Sequence, residues 1–170
     1  MFEFIALAGV FICIILLSWV WPPDSPWSPR WRTSRKTARA AFKLAKLGKG
    51  QTVFELGSGE ATALIVAASE FDAKGIGIEI DPLRFFLSKI TIKRNGLSGI
   101  VKLRRENFFD TSLKDADLVY VYLVTKTLKR LTPKFKKELK KGTPIISYKY
   151  KMDLPLRGED AKNELYLYKI

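Results

Sequence analysis

"TVFELGSGEATALIVAA", residues 52–68, runs from a short apolar segment through a glycine turn into an alanine-rich stretch. An apolar run of five residues ending in glycine reads as a buried strand (52–56), and residues 60–71 read as the helix that follows it. The same alternation continues downstream. "GIGIEI" (75–80) is a strand, and Pro82 opens a helix that Asn95-Gly96 closes. "IVKLRR" (100–105) and "DLVYVYLV" (117–124) are strands, and a Lys-rich amphipathic helix covers 126–140, with a break expected near Pro133. "TPIISYKY" (143–150) and "ELYLYKI" (164–170) complete the strands. Upstream, Thr33 or Ser34 caps a helix reaching Leu47, ended by Gly48. Strand–helix alternation of this kind implies an α/β, Rossmann-like, mostly parallel sheet with helices on both faces.

The N-terminus reads differently. "FIALAGVFICIILLSWVW" (4–21) holds no charge over eighteen residues, about the length that spans a bilayer as a helix. Glu3 precedes it where a secretory signal would carry basic residues, and prolines follow where a cleavage site would stand, so a retained single-pass anchor is expected over 1–21. All four tryptophans, Trp19, Trp21, Trp27 and Trp31, fall at or just past its end, as an interfacial belt would. Residues 22–32 form a Pro/Trp-rich juxtamembrane linker, and 33–170 the folded domain. Eight basic and no acidic residues lie between Arg30 and Lys49, which predicts a cytoplasmic domain, a short outer N-terminus and contact with anionic lipid. The whole chain of 170 residues carries 30 Lys+Arg against 17 Asp+Glu, a net +13. A nucleic-acid face is the less economical use of that charge. With no histidine and one cysteine, Cys13, the sequence excludes His-based triads, Cys–His pairs and His- or thiolate-cluster metal sites. No metal is expected.

The glycine turn narrows the ligand. No Gly-Lys-Ser/Thr ending follows, so a P-loop is excluded. Counted from Gly57, the third glycine of a dinucleotide fingerprint would be residue 62, which is Thr62. Glu55, just before the turn, would repel a pyrophosphate. A ligand with a positive end suits the turn better. S-adenosylmethionine has a sulfonium, an ammonium and no phosphate. Glu55 would attract its amino-acid end, and the glycines would let the backbone approach. Glu79, 22 residues past Gly57, would accept its ribose hydroxyls. In "RENFFD" (105–110), Asn107 is placed to pair with an adenine edge and Phe108 to pack on its face.

At this point the chain resembles the class I, seven-strand S-adenosylmethionine-dependent methyltransferases. "ELGSGEA" (55–61) resembles their acidic-x-Gly-x-Gly motif, "GIEIDP" (77–82) their second motif and "ENFFD" (106–110) their third. Residues 116–153 are similar to small prokaryotic protein-lysine methyltransferases related to the ATP synthase c-subunit lysine methyltransferase family, a group that tends to be membrane-anchored. The resemblance implies cofactor roles for Glu55, Gly57, Ser58, Gly59, Glu79, Ile80, Asn107 and Phe108. It also implies one for Thr33, in the "WRTSRK" segment before the first helix. Tyr122 and Leu123 are implied at the acceptor, with Tyr122 positioning it. Ala61 stands where that family has its last glycine, and its methyl is expected to crowd the cofactor. The tail past the fifth strand is short, so the family's final hairpin is expected to be reduced. The implied acceptor is a lysine of a protein, membrane proteins included. A lipid or quinone acceptor, or a non-catalytic membrane adaptor, fits the same anchor and basic face.

Overall fold

The computed structural model describes residues 32–170, together with Leu7 and residues 9–13. The expected anchor and linker therefore fall almost wholly outside the described residues. Leu7 and residues 9–13 are helical, and no helix among the described residues is long and apolar enough to cross a membrane.

From residue 32 the alternation read from the sequence is the architecture. Helix α1 (Arg35–Ala45) starts at Ser34, whose hydroxyl accepts from Thr37 N at 3.0 Å, a cap worth about 1 kcal/mol. It stops at Ala45, two residues short of Leu47, because Lys46 itself takes the left-handed conformation (φ 56°). Strand β1 (Thr52–Leu56), helix α2 (Thr62–Phe71), strand β2 (Lys74–Ile78) and helix α3 (Pro82–Arg94) follow. Asp81 caps α3 by accepting from Leu83 N and Arg84 N. Then come β3 (Val101–Arg104), β4 (Leu118–Val121), α4 (Thr125–Glu138), β5 (Pro144–Tyr148), β6 (Leu156–Asp160) and β7 (Leu165–Lys169).

The seven strands lie in the order β3-β2-β1-β4-β5-β7-β6. The first five are parallel, and β7 runs antiparallel to both β5 and β6. Alternate strand residues serve two cores. Val53, Leu118, Tyr120 and Ile146 pack under α1 and α2, while Phe54, Val119, Val121 and Ile145 pack under α4. Helices thus cover both faces. The order turns back at β1 and β4, and in open α/β sheets the crevice beyond such a switch point is where ligands bind.

Three expectations need correction. The final hairpin is complete, not reduced. Its outer strand β6 leaves little signal in the sequence, because an edge strand exposes most of its residues and carries almost no apolar pattern. Helix α4 is not broken at Pro133 but runs through it to Glu138. Its apolar face, Leu128, Leu131 and Phe135, is fully buried and outweighs the one backbone bond that proline cannot donate. Ala61 is not inside the helix facing a ligand. It is the residue before α2, left-handed (φ 57°), with its methyl wholly buried in the core. Glycine meets that backbone conformation without strain, which gives a physical reason for the family's glycine at this position.

Candidate active site

β1 delivers the glycine turn to the carboxyl edge of the sheet. There four of the backbone N–H groups are spoken for. Gly57 N and Ser58 N donate to Ile78 O at 2.8 and 3.0 Å, Gly59 N donates to Glu79 Oε2 at 2.8 Å, and Ala61 N donates to Ser58 O at 2.7 Å. A phosphate cradle needs such groups aimed at the ligand. This turn spends them on β2 and on itself, so its geometry agrees with the electrostatic argument against a pyrophosphate. The turn needs glycine for its dihedrals, φ +75° at Gly57 and +51° at Gly59. A Cβ added at Gly57 would lie 3.5 Å from Leu123 Cδ2, which brings the end of β4 against the turn.

Two carboxylates face this place in different ways. Glu79, just past the end of β2, is braced at both oxygens, by Gly59 N and by Asp81 N at 3.0 Å. Each oxygen keeps a second lone pair with which to accept a hydroxyl. Glu55 sits in register between Gly77 of β2 and Tyr120 of β4. It is 5 % exposed, and its Oε2 has no hydrogen-bond partner among the described residues. Burial pushes its carboxyl well above the ordinary carboxylate range; the Leu64 N–H pulls the other way and the Glu79 charge adds to the rise. A buried carboxyl with a bare oxygen beside a second carboxylate is suited to a cationic group. Ser58 Oγ is buried and has no hydrogen-bond partner among the described residues either. It fits because Gly77 has no side chain, for a Cβ there would lie 2.8 Å from that hydroxyl and 2.6 Å from Leu103 Cδ2. The donor set therefore fits S-adenosylmethionine: carboxylates for a positive amino-acid end and a diol, and no anion cradle.

The segment before α1 reaches the same place. Thr33 Oγ1 lies 3.1 Å from Tyr120 Oη, and Arg32 pairs with Glu60 at 2.6 Å, so the chain crosses from the domain's first helix to the glycine turn. Ile80 is exposed beside Glu79. Asn107 is exposed, its Oδ1 accepting from Phe109 N at 3.0 Å, and Phe108 is half-buried against the α4-side core.

Tyr122 and Leu123 follow β4 rather than ending it. The register pairs Val121 with Ser147, which carries the next residues, Tyr122 and Tyr148, side by side. Their rings are 4.3 Å apart, and the Tyr150 ring is 6.5 Å from Tyr122. Lys149, left-handed at φ 66°, sets its ammonium 5.8 Å from the Tyr122 ring and 5.7 Å from the Tyr148 ring. A hydrogen bond to Tyr122 raises the Lys149 pKa, while burial raises that of Tyr122. Sequence reasoning found Tyr122 but missed Gly77, Tyr148, Lys149 and Tyr150. The signal for the last three was the pairing of "YL" (122–123) with "YKY" (148–150), visible only once the β4–β5 register is assigned.

Known proteins resemble this chain. The family model described as the ANTKMT methyltransferase domain matches residues 55–154. A protein-lysine N-methyltransferase of Saccharolobus islandicus is 32% identical over 141 residues, 82% of this chain and 83% of that protein. The mouse adenine nucleotide translocase lysine N-methyltransferase is 27% identical over 67% of this chain, which spans 51% of its length. Among solved structures, an RNA methyltransferase of Salinibacter ruber in complex with S-adenosyl-L-homocysteine superposes with a TM-score of 0.79 at 26% identity, covering 82% of this chain and 94% of that one.

Proposed function

The chain belongs to the ANTKMT methyltransferase domain family and is an S-adenosylmethionine-dependent methyltransferase; on that premise we propose that its acceptor is a protein lysine and that residues 4–21 tether it to a membrane with the domain on the cytoplasmic side. The observation that carries the acceptor is the Tyr122–Tyr148 wall, along which the chain's own Lys149 lies with its ammonium over both rings. A lysine side chain packs there through its methylenes and its cation. A quinone or acyl chain would call for an aliphatic lining, and this end of the sheet offers phenols and a lysine.

Glu55 would hold the cationic amino-acid end of the cofactor, Glu79 its ribose hydroxyls, and Asn107 with Phe108 its adenine. When bound, S-adenosylmethionine supplies an electrophilic methyl group on a positive sulfur. What the chain must do is present a neutral amine in line with it. Lys149 keeps its charge through the Tyr122 hydrogen bond, and a like charge beside an incoming lysine favours that lysine's neutral form. Tyr122 keeps its proton because burial raises its pKa, so it orients the amine rather than deprotonating it. Positioning of this kind lowers the barrier of a displacement between two bound partners by several kcal/mol, on the order of 7–11 at most.

The test is labelling with tritiated-methyl S-adenosylmethionine in membrane and soluble fractions, followed by hydrolysis of the labelled material. Label recovered as methylated lysine from the membrane fraction supports the proposal. Label extracted into organic solvent assigns a lipid or quinone acceptor instead.

A further inference from the structure

Helix α3 is packed thinly at the β3 edge, and only Ser88 and Ile92 on it are buried. Its outer face is apolar. Leu83 is 54 %, Phe86 60 % and Leu87 49 % exposed, and Ile80, just ahead of the helix, is 38 % exposed. Between residues 32 and 170 the other exposed large apolar residues are Ile100 and Leu156, so four of six fall within this one short segment. Leu83, Phe86 and Leu87 are spaced i, i+3 and i+4 and share a face. Nothing in the fold of α3 requires them outside.

The charge on the helix itself has one sign. Within the helix the titratable residues are Arg84, Lys89, Lys93 and Arg94. The one acid beside it, Asp81, is occupied in capping α3 and lies 3.9 Å from Arg84. β3, next to it, adds Lys102 and Arg104, the latter beside Glu106. An apolar face with Phe and Leu, rimmed by Lys and Arg, is the composition of a helix that lies in the plane of an anionic bilayer. We propose that the Leu83–Phe86–Leu87 face of α3 docks on an anionic lipid surface, as a contact separate from the N-terminal apolar stretch. The two cooperate, since a tethered domain meets the bilayer at high effective concentration. The docking also bears on the site. The inner face of α3 sends the Ser88 hydroxyl to the Gly59 carbonyl, and Asp81 follows directly on Glu79 and Ile80. A docked α3 sets the cofactor end of the domain at the membrane surface, where a lysine close to the bilayer is reachable.

The docking face is built from α3 and its basic neighbours on β3, and its test does not depend on methylation. Full-length chain carrying Leu87→Cys in a Cys13→Ser background is labelled with an environment-sensitive fluorophore and mixed with nanodiscs. The discs are phosphatidylcholine alone or equimolar phosphatidylcholine and phosphatidylglycerol, each with and without nitroxide-labelled acyl chains. Lys136→Cys, exposed on α4, is the control site. The expected result is a blue shift and acyl-chain quenching at position 87 in the anionic discs, several-fold above position 136, abolished by Lys89→Glu with Lys93→Glu. An aqueous spectrum at 87 in both discs overturns the proposal. So does a shift that follows protein density irrespective of lipid charge, which assigns the face to a second copy, or one that needs an added acidic protein. Co-elution of the chain with the discs reports the tether separately, and retained S-adenosylmethionine binding by each variant reports the methyltransferase fold separately.

Discussion

The two halves of the sheet's carboxyl edge are built on opposite principles. At β1 and β2 the turn spends its N–H groups inwardly and faces the ligand with carboxylates, Glu79 braced and Glu55 bare. At β4 and β5 the lining is aromatic and cationic, Tyr122 and Tyr148 under Lys149. One half suits a positively charged cofactor; the other suits an amine held neutral by a neighbouring cation. For the proposed transfer to an amine, a site without histidine would then use electrostatics on one side and orientation on the other.

The braced carboxylate should break the first half most severely. Glu79→Ala strands the N–H groups of Gly59 and Asp81 and removes the proposed diol acceptor. At about 1.5–3 kcal/mol per bond to a charged group, cofactor affinity falls about 100-fold or more, as read by calorimetric titration. Tyr122→Phe tests the second half. It removes the hydrogen bond to Lys149 and the orienting phenol while keeping the ring, so turnover drops about tenfold, the value of one such bond, with the cofactor Kd unchanged. A parallel loss of cofactor affinity would show that the two halves are not separate.

The smallest effect belongs to Ala61→Gly. Relief of the left-handed conformation gains about 1–2 kcal/mol. Loss of the buried methyl costs about 0.8 kcal/mol, and the freer unfolded chain about 0.5–1 kcal/mol. The terms nearly cancel, so thermal unfolding should shift by no more than about 2–4 °C, with cofactor binding intact. A large loss of binding would place Ala61 against the ligand after all.

How much of this the sequence disclosed differs between the same two halves. The glycine turn was readable because its parts are contiguous: apolar run, Glu55, Gly57-Ser58-Gly59, small-residue helix. The mostly parallel sheet and both helical layers followed from alternation. What stayed hidden depends on pairing between distant segments or on exposure. Tyr148 and Tyr150 join Tyr122 through the β4–β5 register, and β6 is an exposed edge strand without an apolar signature. The strands stop at Ile78 and Val121, short of the sequence pattern, since Ile80, Tyr122 and Leu123 continue the apolar run past the last paired residues. Pro133 reads as a break until the buried face of α4 is seen.

Glu55 gives the most direct test of the account, because the claim that the turn receives a cation rests on it. Burial raises its pKa above the unfolded value, so the folded chain alone keeps this proton to higher pH, and the stability contributed by the group falls as pH rises through the raised pKa. A bound cation demands the carboxylate, so binding below that pKa releases the proton and tightens as pH rises toward it. Calorimetric titration of S-adenosylmethionine in buffers of different ionisation enthalpy, on wild type and Glu55→Gln, measures this release. The account predicts proton release on binding to the wild type, with affinity rising with pH, and about tenfold weaker binding without that release in Glu55→Gln, the worth of one charge-assisted contact. Equal affinity and equal proton release in both proteins would contradict it.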